Sequence, residues 1–122
     1  MQVEKVDFVS LQTQDTARSK QFYVETLGLP LDRDNPAGFE VWAGQVCLGI
    51  WDPSGAPGID FAPNPAHIAL NVGDVEAGRA ELEAKGVVFD APTLDTGVCH
   101  MAFFRDPDGN ALMLHRRYAP YA

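Results

Sequence analysis

The sequence lacks the features of several protein classes. No apolar run reaches the roughly 18–20 residues that a membrane-spanning helix needs, and the N-terminal stretch MQVEKVDFVS has no apolar signal-peptide core. We therefore expect a cytoplasmic protein that has no membrane partner. Only two cysteines occur, Cys47 and Cys99, and neither belongs to a C-x-x-C pair, which excludes zinc-ribbon and thioredoxin-like motifs.

Positive charge is also scarce. The chain has 9 Lys and Arg residues against 17 Asp and Glu residues, which gives a net charge of −8. Such a field repels phosphate backbones, so we expect no nucleic-acid partner. It favours a neutral or cationic ligand over an anionic one.

The secondary structure that the sequence predicts occurs twice in the same order. Each copy has a strand, a helix that begins after a capping aspartate, a short strand and a hairpin. The predicted elements are 4–13, 16–27, 29–33 and 39–51 in the first copy, and 67–72, 75–85, 87–90 and 99–116 in the second. Phe8 and His67 are separated by the same number of positions as Asp15 and Asp74, so the two copies align.

A segment rich in proline and glycine, residues 52–65, separates the two copies. It predicts one domain over residues 1–122, built from module one (1–51), this linker, module two (66–116) and a tail (117–122). One helix covers only one face of a sheet, so the modules are expected to share a core or to enclose a cavity.

Two motifs resemble those of the vicinal oxygen chelate (VOC) superfamily. Residues 15–29, DTARSKQFYVETLGL, resemble its D-x-x-x-S-x-x-F-Y-x-x-x-L-G-L signature, and residues 104–110, FRDPDGN, match its F-x-D-P-x-G-N hairpin. The superfamily includes glyoxalase I, extradiol dioxygenases, fosfomycin-resistance transferases and bleomycin-binding proteins. The resemblance implies an α+β fold of two tandem βαβββ modules, with curled mixed sheets that enclose a cleft, usually in a homodimer.

Many members of the superfamily hold a divalent metal in that cleft, with one His, Gln or Glu ligand from the first and last strand of each module. Carried over by position, the resemblance places these ligands at Phe8, Leu48, His67 and Met113. Only His67 is a ligand type that such a metal prefers, because phenylalanine and leucine offer no donor atom and a thioether is a poor ligand for a hard cation. We therefore expect no cofactor; a divalent metal, if one is bound, would use His67 with His100 or His115.

Strand alternation predicts which side chains share the cleft. If Arg105 pairs with Asn110, His115 lies opposite His100, and all three histidines of the chain face one cavity. Trp42 and Trp51 fall on the opposite parity and are expected against a helix or at a subunit contact. The predicted ligand-binding residues are Phe8, Ser10, Gln12, Phe39, Leu48, His67, Asn71, His100, Met113 and His115, with Val41 and Val46 also lining the cleft.

These patterns favour a metal-independent protein that binds or sequesters a small organic molecule, cationic or partly aromatic, in an apolar cleft between the modules. No catalytic residue is assigned, and His67 is the candidate if the protein is an enzyme. The alternative is a glyoxalase- or dioxygenase-type metalloenzyme that uses an unconventional histidine site. A third reading is an accessory domain whose dimer surface matters more than its cleft.

Overall fold

The computed structural model describes residues 1–121, which form eight strands and two α-helices in the order that the repeat predicts. The first half contains β1 (Phe8–Gln12), α1 (Thr16–Gln21), β2 (Leu31–Asn35), β3 (Gly38–Ala43) and β4 (Val46–Trp51). The second half contains β5 (Ile68–Asn71), α2 (Val75–Ala84), β6 (Leu94–Asp95), β7 (Cys99–Arg105) and β8 (Ala111–Arg117). A π-helical turn (Phe22–Thr26) follows α1, and a 3₁₀ turn (Pro53–Gly55) follows β4.

The chain divides into two compact units, Met1–Pro63 and a second that begins at Asn64. Each unit contains a four-stranded mixed sheet, with strand order β1-β4-β3-β2 in the first and β5-β8-β7-β6 in the second. The first strand of each module runs parallel to the last, and the other pairs are antiparallel. The predicted α+β fold of two βαβββ modules is confirmed, and neither sheet closes into a barrel.

The capping residues at the start of each helix and the glycines after it are those that the sequence predicts. The Asp15 carboxylate accepts a hydrogen bond from the Arg18 backbone N–H at 3.1 Å, and Asp74 does the same for Ala77 at 3.0 Å. After each helix a glycine adopts the left-handed conformation, Gly28 with φ +72° and Gly86 with φ +92°. The same local signals therefore mark the helical segment in both modules.

The apolar core of each unit lies between its helix and one face of its sheet. In the first unit the Tyr23 ring, just after α1, contacts the Phe39 ring with centroids 6.3 Å apart. In the second, a Cβ added to Gly78 of α2 would lie 3.1 Å from Leu114 Cδ1, so the helix backbone packs closely on β8. The buried helix-side strand residues are Leu11, Phe39, Val41, Leu48 and Ile50 in the first unit, and Ala102, Phe104, Leu112 and Leu114 in the second.

Several predicted element bounds are wrong. The first strand begins at Phe8 and not at residue 4, and the helix over 16–27 is α-helical only to Gln21. The predicted strand over 87–90 is reduced to one bridge between Phe89 and Phe104. The strand that pairs with β7 on the side away from β8 is β6. Phe89 is only 8% exposed and packs in the core. An apolar residue can be buried in this way without lying in a strand, so the apolar pattern over 87–90 is misleading.

Across residues 1–121, neither helix has the length and apolarity that crossing a bilayer would need.

Candidate functional sites on the open sheet faces

Each sheet has a second face that its own helix does not cover. In the first unit, the parallel pairing of β1 with β4 puts Phe8 beside Cys47, Ser10 beside Gly49 and Gln12 beside Trp51. Residues that pair directly point to the same side of a sheet. This set therefore shares the open face of sheet one, where Phe8 is 60% exposed.

Hydrogen bonds hold two polar side chains of this face in place. The Trp51 indole N–H donates to Ser10 Oγ at 2.8 Å, and the Ala62 backbone N–H donates to Gln12 Oε1 at 2.8 Å. The face thus carries an aromatic surface with fixed polar groups at its edge.

The prediction that Trp42 and Trp51 lie on the side of sheet one opposite to Phe8 is wrong, whereas their place at a subunit contact stays a prediction. Trp42 pairs with Cys47 and Trp51 with Gln12, so both lie on the open face of sheet one together with Phe8. The parity is reversed because Leu48, predicted to share the cleft with Phe8, lies on the helix side of the sheet.

Phe39 and Leu48, predicted as cleft residues, belong to the helix-side core, where they are 0% and 1% exposed. Val41 and Val46 share their strand parity. The reason lies in the hairpins. Residues 44–45 connect Ala43 to Val46, whereas residues 106–110 connect Arg105 to Ala111. Leu48 and Met113 both lie four residues after the turn glycine of their hairpin, but because the turns differ in length these positions are not equivalent.

The module-one equivalent of Met113 is therefore Gly49. Met113 pairs with Ala69 of β5, and Gly49 pairs with Ser10 at the corresponding position of β1. A Cβ on Gly49 would lie 3.6 Å from Phe8 Cδ2, so the phenylalanine ring covers the glycine backbone.

The open face of sheet two carries the second group of predicted residues. Ala69 and Asn71 of β5 pair with Met113 and His115 of β8, and strand alternation places His67 on the same side. The His67 ring meets the Phe103 ring edge to face, with centroids 5.0 Å apart. Sequence reasoning missed Phe103, although its place opposite Met113 follows once the hairpin register is known.

His100 does not lie on this face, and the prediction that all three histidines share one cavity is wrong. Arg105 pairs with Ala111 and not with Asn110, because the Asp106 N–H bonds to the Asn110 carbonyl inside the loop at 3.0 Å. The whole pairing shifts by one residue, which sends His100 to the helix side opposite Arg116.

The other two histidines share a face but lie well apart. Asn71 is the residue beside His115, and His67 lies four residues before Asn71, which separates the two histidines by about 13 Å along the strand. Side chains that stand perpendicular to a sheet at that spacing do not converge on one ion.

The residues present do not fit the metal that the fold family implies. The four equivalent positions are Phe8, Gly49, His67 and Met113, and of these only His67 supplies a good donor for a hard or borderline cation. Among residues 1–121 there is also no group of three or more His, Cys, Asp or Glu side chains able to hold an ion.

A carboxylate lies on the open face of sheet one that sequence reasoning did not single out. Glu40 pairs with Gly49, and its Oε2 accepts a long hydrogen bond from Cys47 Sγ at 4.0 Å. Burial raises the pKa of the Cys47 thiol, and the negative charges of Glu40 and Asp32 raise it further. An ion pair with Arg33, at 3.6 Å, partly offsets the charge of Glu40. The face therefore combines aromatic rings with an acidic group.

Comparison with known proteins gives one consistent family. A model described as the Glyoxalase/Bleomycin resistance protein/Dioxygenase superfamily matches residues 5–114. A probable lactoylglutathione lyase of Vibrio parahaemolyticus is 30% identical, over 85% of this chain and 84% of that protein. The protein YaeR of Escherichia coli K12 is 29% identical, over 94% and 98%. The solved structure of TnmS3, an antibiotic binding protein from Streptomyces sp. CB03234, is 30% identical, with a TM-score of 0.79 over 96% of this chain and 98% of that one.

Proposed function

Because the chain belongs to the Glyoxalase/Bleomycin resistance protein/Dioxygenase superfamily, we propose that it binds a small, flat, aromatic and cationic molecule without metal chemistry. The binding surface in this proposal is the open face of sheet one. The observation that carries it is the presence of Glu40 on the same face as the aromatic side chains of Phe8, Trp42 and Trp51.

Aromatic faces and a carboxylate complement this kind of ligand. The π-face of a tryptophan attracts an organic cation, and a carboxylate adds a charge of the required sign. The net charge of −8 attracts cations to the protein as a whole. The likeness to TnmS3, described as an antibiotic binding protein, supports binding as the activity.

A pair of probes of similar shape and opposite charge tests the proposal. Tryptophan fluorescence is titrated with 9-aminoacridine, a flat aromatic cation, and with acridine-9-carboxylate, a flat aromatic anion. The cation is expected to quench with saturation, unchanged by EDTA, and the anion to bind more weakly.

Variants separate this site from general charge attraction. Glu40→Gln is expected to weaken 9-aminoacridine binding by about three- to tenfold, in the range of a partly exposed charge interaction. Glu81→Gln, an equal loss of charge on the exposed side of α2, is the matched control and should leave the affinity unchanged. Equal affinity for the two probes, or equal loss in both variants, contradicts the proposal.

The second candidate function is a metal-dependent lyase, favoured by the likeness to a probable lactoylglutathione lyase. It requires one tightly bound divalent metal per chain and conversion of the hemithioacetal of methylglyoxal and glutathione. Elemental analysis of protein purified without chelator is expected to find no stoichiometric metal. One metal per chain, together with turnover that His67→Ala abolishes, would replace the binding proposal.

The homodimer is also a proposal. A large apolar side chain such as Phe8, 60% exposed in the single chain, is typical of a surface that a partner or ligand covers. Light scattering coupled to size exclusion would give twice the chain mass, and a monomer at micromolar concentration would contradict it.

A further inference from the structure

The helix side of module two contains a polar groove beside the N-terminal half of α2. Two cavities of about 470 and 560 Å³ both have Glu76 and His100 in their walls. We propose that this groove binds a zwitterion of the α-amino-acid class, with the ligand carboxylate on Arg116 and the ligand ammonium on Glu76.

The groove exists because the sheet under the first turns of α2 is polar. His100 of β7 pairs with Arg116 of β8 and with Asp95 of β6, so these three side chains form a row on the helix side of the sheet. Further along the same face, Ala102 and Leu114 are buried under the helix. Charged side chains do not pack into such a core, which leaves the end of the interface open.

Hydrogen bonds orient the imidazole at the centre of this row. His100 Nε2 lies 3.4 Å from Asp95 Oδ2, and Asp95 Oδ1 accepts hydrogen bonds from the Gly97 N–H at 2.9 Å and from the Tyr118 hydroxyl at 2.8 Å. The Tyr118 ring also packs against the His100 ring at a tilt of 34°, with centroids 4.7 Å apart. His100 and Tyr118 thus form a fixed aromatic wall of the groove.

Two opposite charges in the groove have no partner. Glu76 and Arg116 both line the larger cavity, yet within residues 1–121 neither side chain makes a hydrogen bond or an ion pair. Arg79, by contrast, is held by Glu83 at 3.3 Å and by the Ala91 carbonyl at 2.8 Å. A ligand that carries a carboxylate and an ammonium group can satisfy both unpaired charges at once.

A cavity occurs at the same place in both modules, but its lining differs between them. Module one has a cavity of about 460 Å³ at the corresponding place, lined by Ala37 and Asp52 among others. The Thr13 N–H donates to the Trp51 carbonyl, and the Val72 N–H donates to the His115 carbonyl in the same way. Trp51 therefore corresponds to His115, and the next residue, Asp52, corresponds to Arg116. Ala37, bonded through its carbonyl to the Asp52 N–H, corresponds to His100. The module-one cavity is lined by Trp51 but, among the described residues, has only one charged side chain, Asp52, so the combination of opposite charges with an aromatic wall occurs only in the module-two groove.

Three probes of one shape test the assignment. Backbone amide spectra of the ¹⁵N-labelled protein are recorded during titration with L-phenylalanine, with phenethylamine, which keeps only the ammonium group, and with 3-phenylpropionate, which keeps only the carboxylate. Phenylalanine is expected to bind at least about fivefold more tightly than either analogue, since each charged contact at a partly exposed site contributes about 1 kcal/mol. The shifts should map to residues 73–76, 95, 100 and 116–118.

Charge-removing variants assign each end of the ligand. Glu76→Gln should reduce the affinity for phenylalanine to that for 3-phenylpropionate, and Arg116→Gln should reduce it to that for phenethylamine. Both side chains are exposed, so the amide dispersion of the folded protein should persist. Asp52→Asn, at the equivalent position of module one, is the matched control and should change nothing.

Three outcomes overturn the proposal. They are equal affinity for the three probes, shifts that map outside the groove, and variants at Glu76 and Arg116 that bind phenylalanine as tightly as the unmodified protein does. None of these outcomes bears on the acridine titration, which tests the open face of sheet one.

Discussion

Truncation of Leu48 distinguishes the helix-side core from the open face. Leu48 is 1% exposed and packs in the core of the first unit. Leu48→Ala removes three buried carbons, worth about 0.8 kcal/mol each by transfer, and leaves a cavity that adds a further cost. The free energy of unfolding should therefore fall by about 3–4 kcal/mol, a large share of the roughly 5–15 kcal/mol that stabilises a domain.

Guanidinium chloride unfolding, followed by circular dichroism and tryptophan fluorescence, measures this loss. With a slope of about 3–4 kcal/mol per molar, the midpoint should move down by about 1 M. Val88→Ala, an aliphatic truncation at a side chain that is 81% exposed, should stay within about 0.5 kcal/mol of the unmodified protein. A loss of less than about 1 kcal/mol for Leu48→Ala would mean that Leu48 faces the open side, and the register described here would be refuted.

Two further predictions concern a helix cap and acid stability. Asp15→Ala should lower the free energy of unfolding by about 1 kcal/mol because the Arg18 N–H loses its acceptor. Asp15→Asn keeps an acceptor and should lose less, and equal losses in the two variants would contradict the capping role. The pKa of Asp95 is lowered, first by the hydrogen bond from the Gly97 N–H and then by that from the Tyr118 hydroxyl. The ionised Asp95 carboxylate therefore stabilises the folded protein above the pKa of an unfolded carboxyl, and this stabilisation is lost as the pH falls through the lower folded pKa. Asp95→Asn should therefore make stability less dependent on pH in that acidic window, and an unchanged acid unfolding curve would refute this assignment.

Local chemistry made much of the fold predictable. Asp15 and Asp74 are strong helix caps, and Gly28 and Gly86 take a backbone conformation that glycine adopts without strain. Hydrophobic periodicity and the spacing of these residues were enough to predict two βαβββ modules. Phe8 and His67 were also placed at corresponding positions of the two modules, because the repeat aligns them directly.

The sequence by itself therefore determined the order of elements, the two modules and the scarcity of metal ligands. Only the tertiary structure decided which face each side chain joins, because strand register depends on hydrogen bonds between distant residues and a slip of one position reverses every side chain. The bond from the Asp106 N–H to the Asn110 carbonyl sets one such register. It separates His100 from His67 and His115, and it turns His100 toward the groove beside α2.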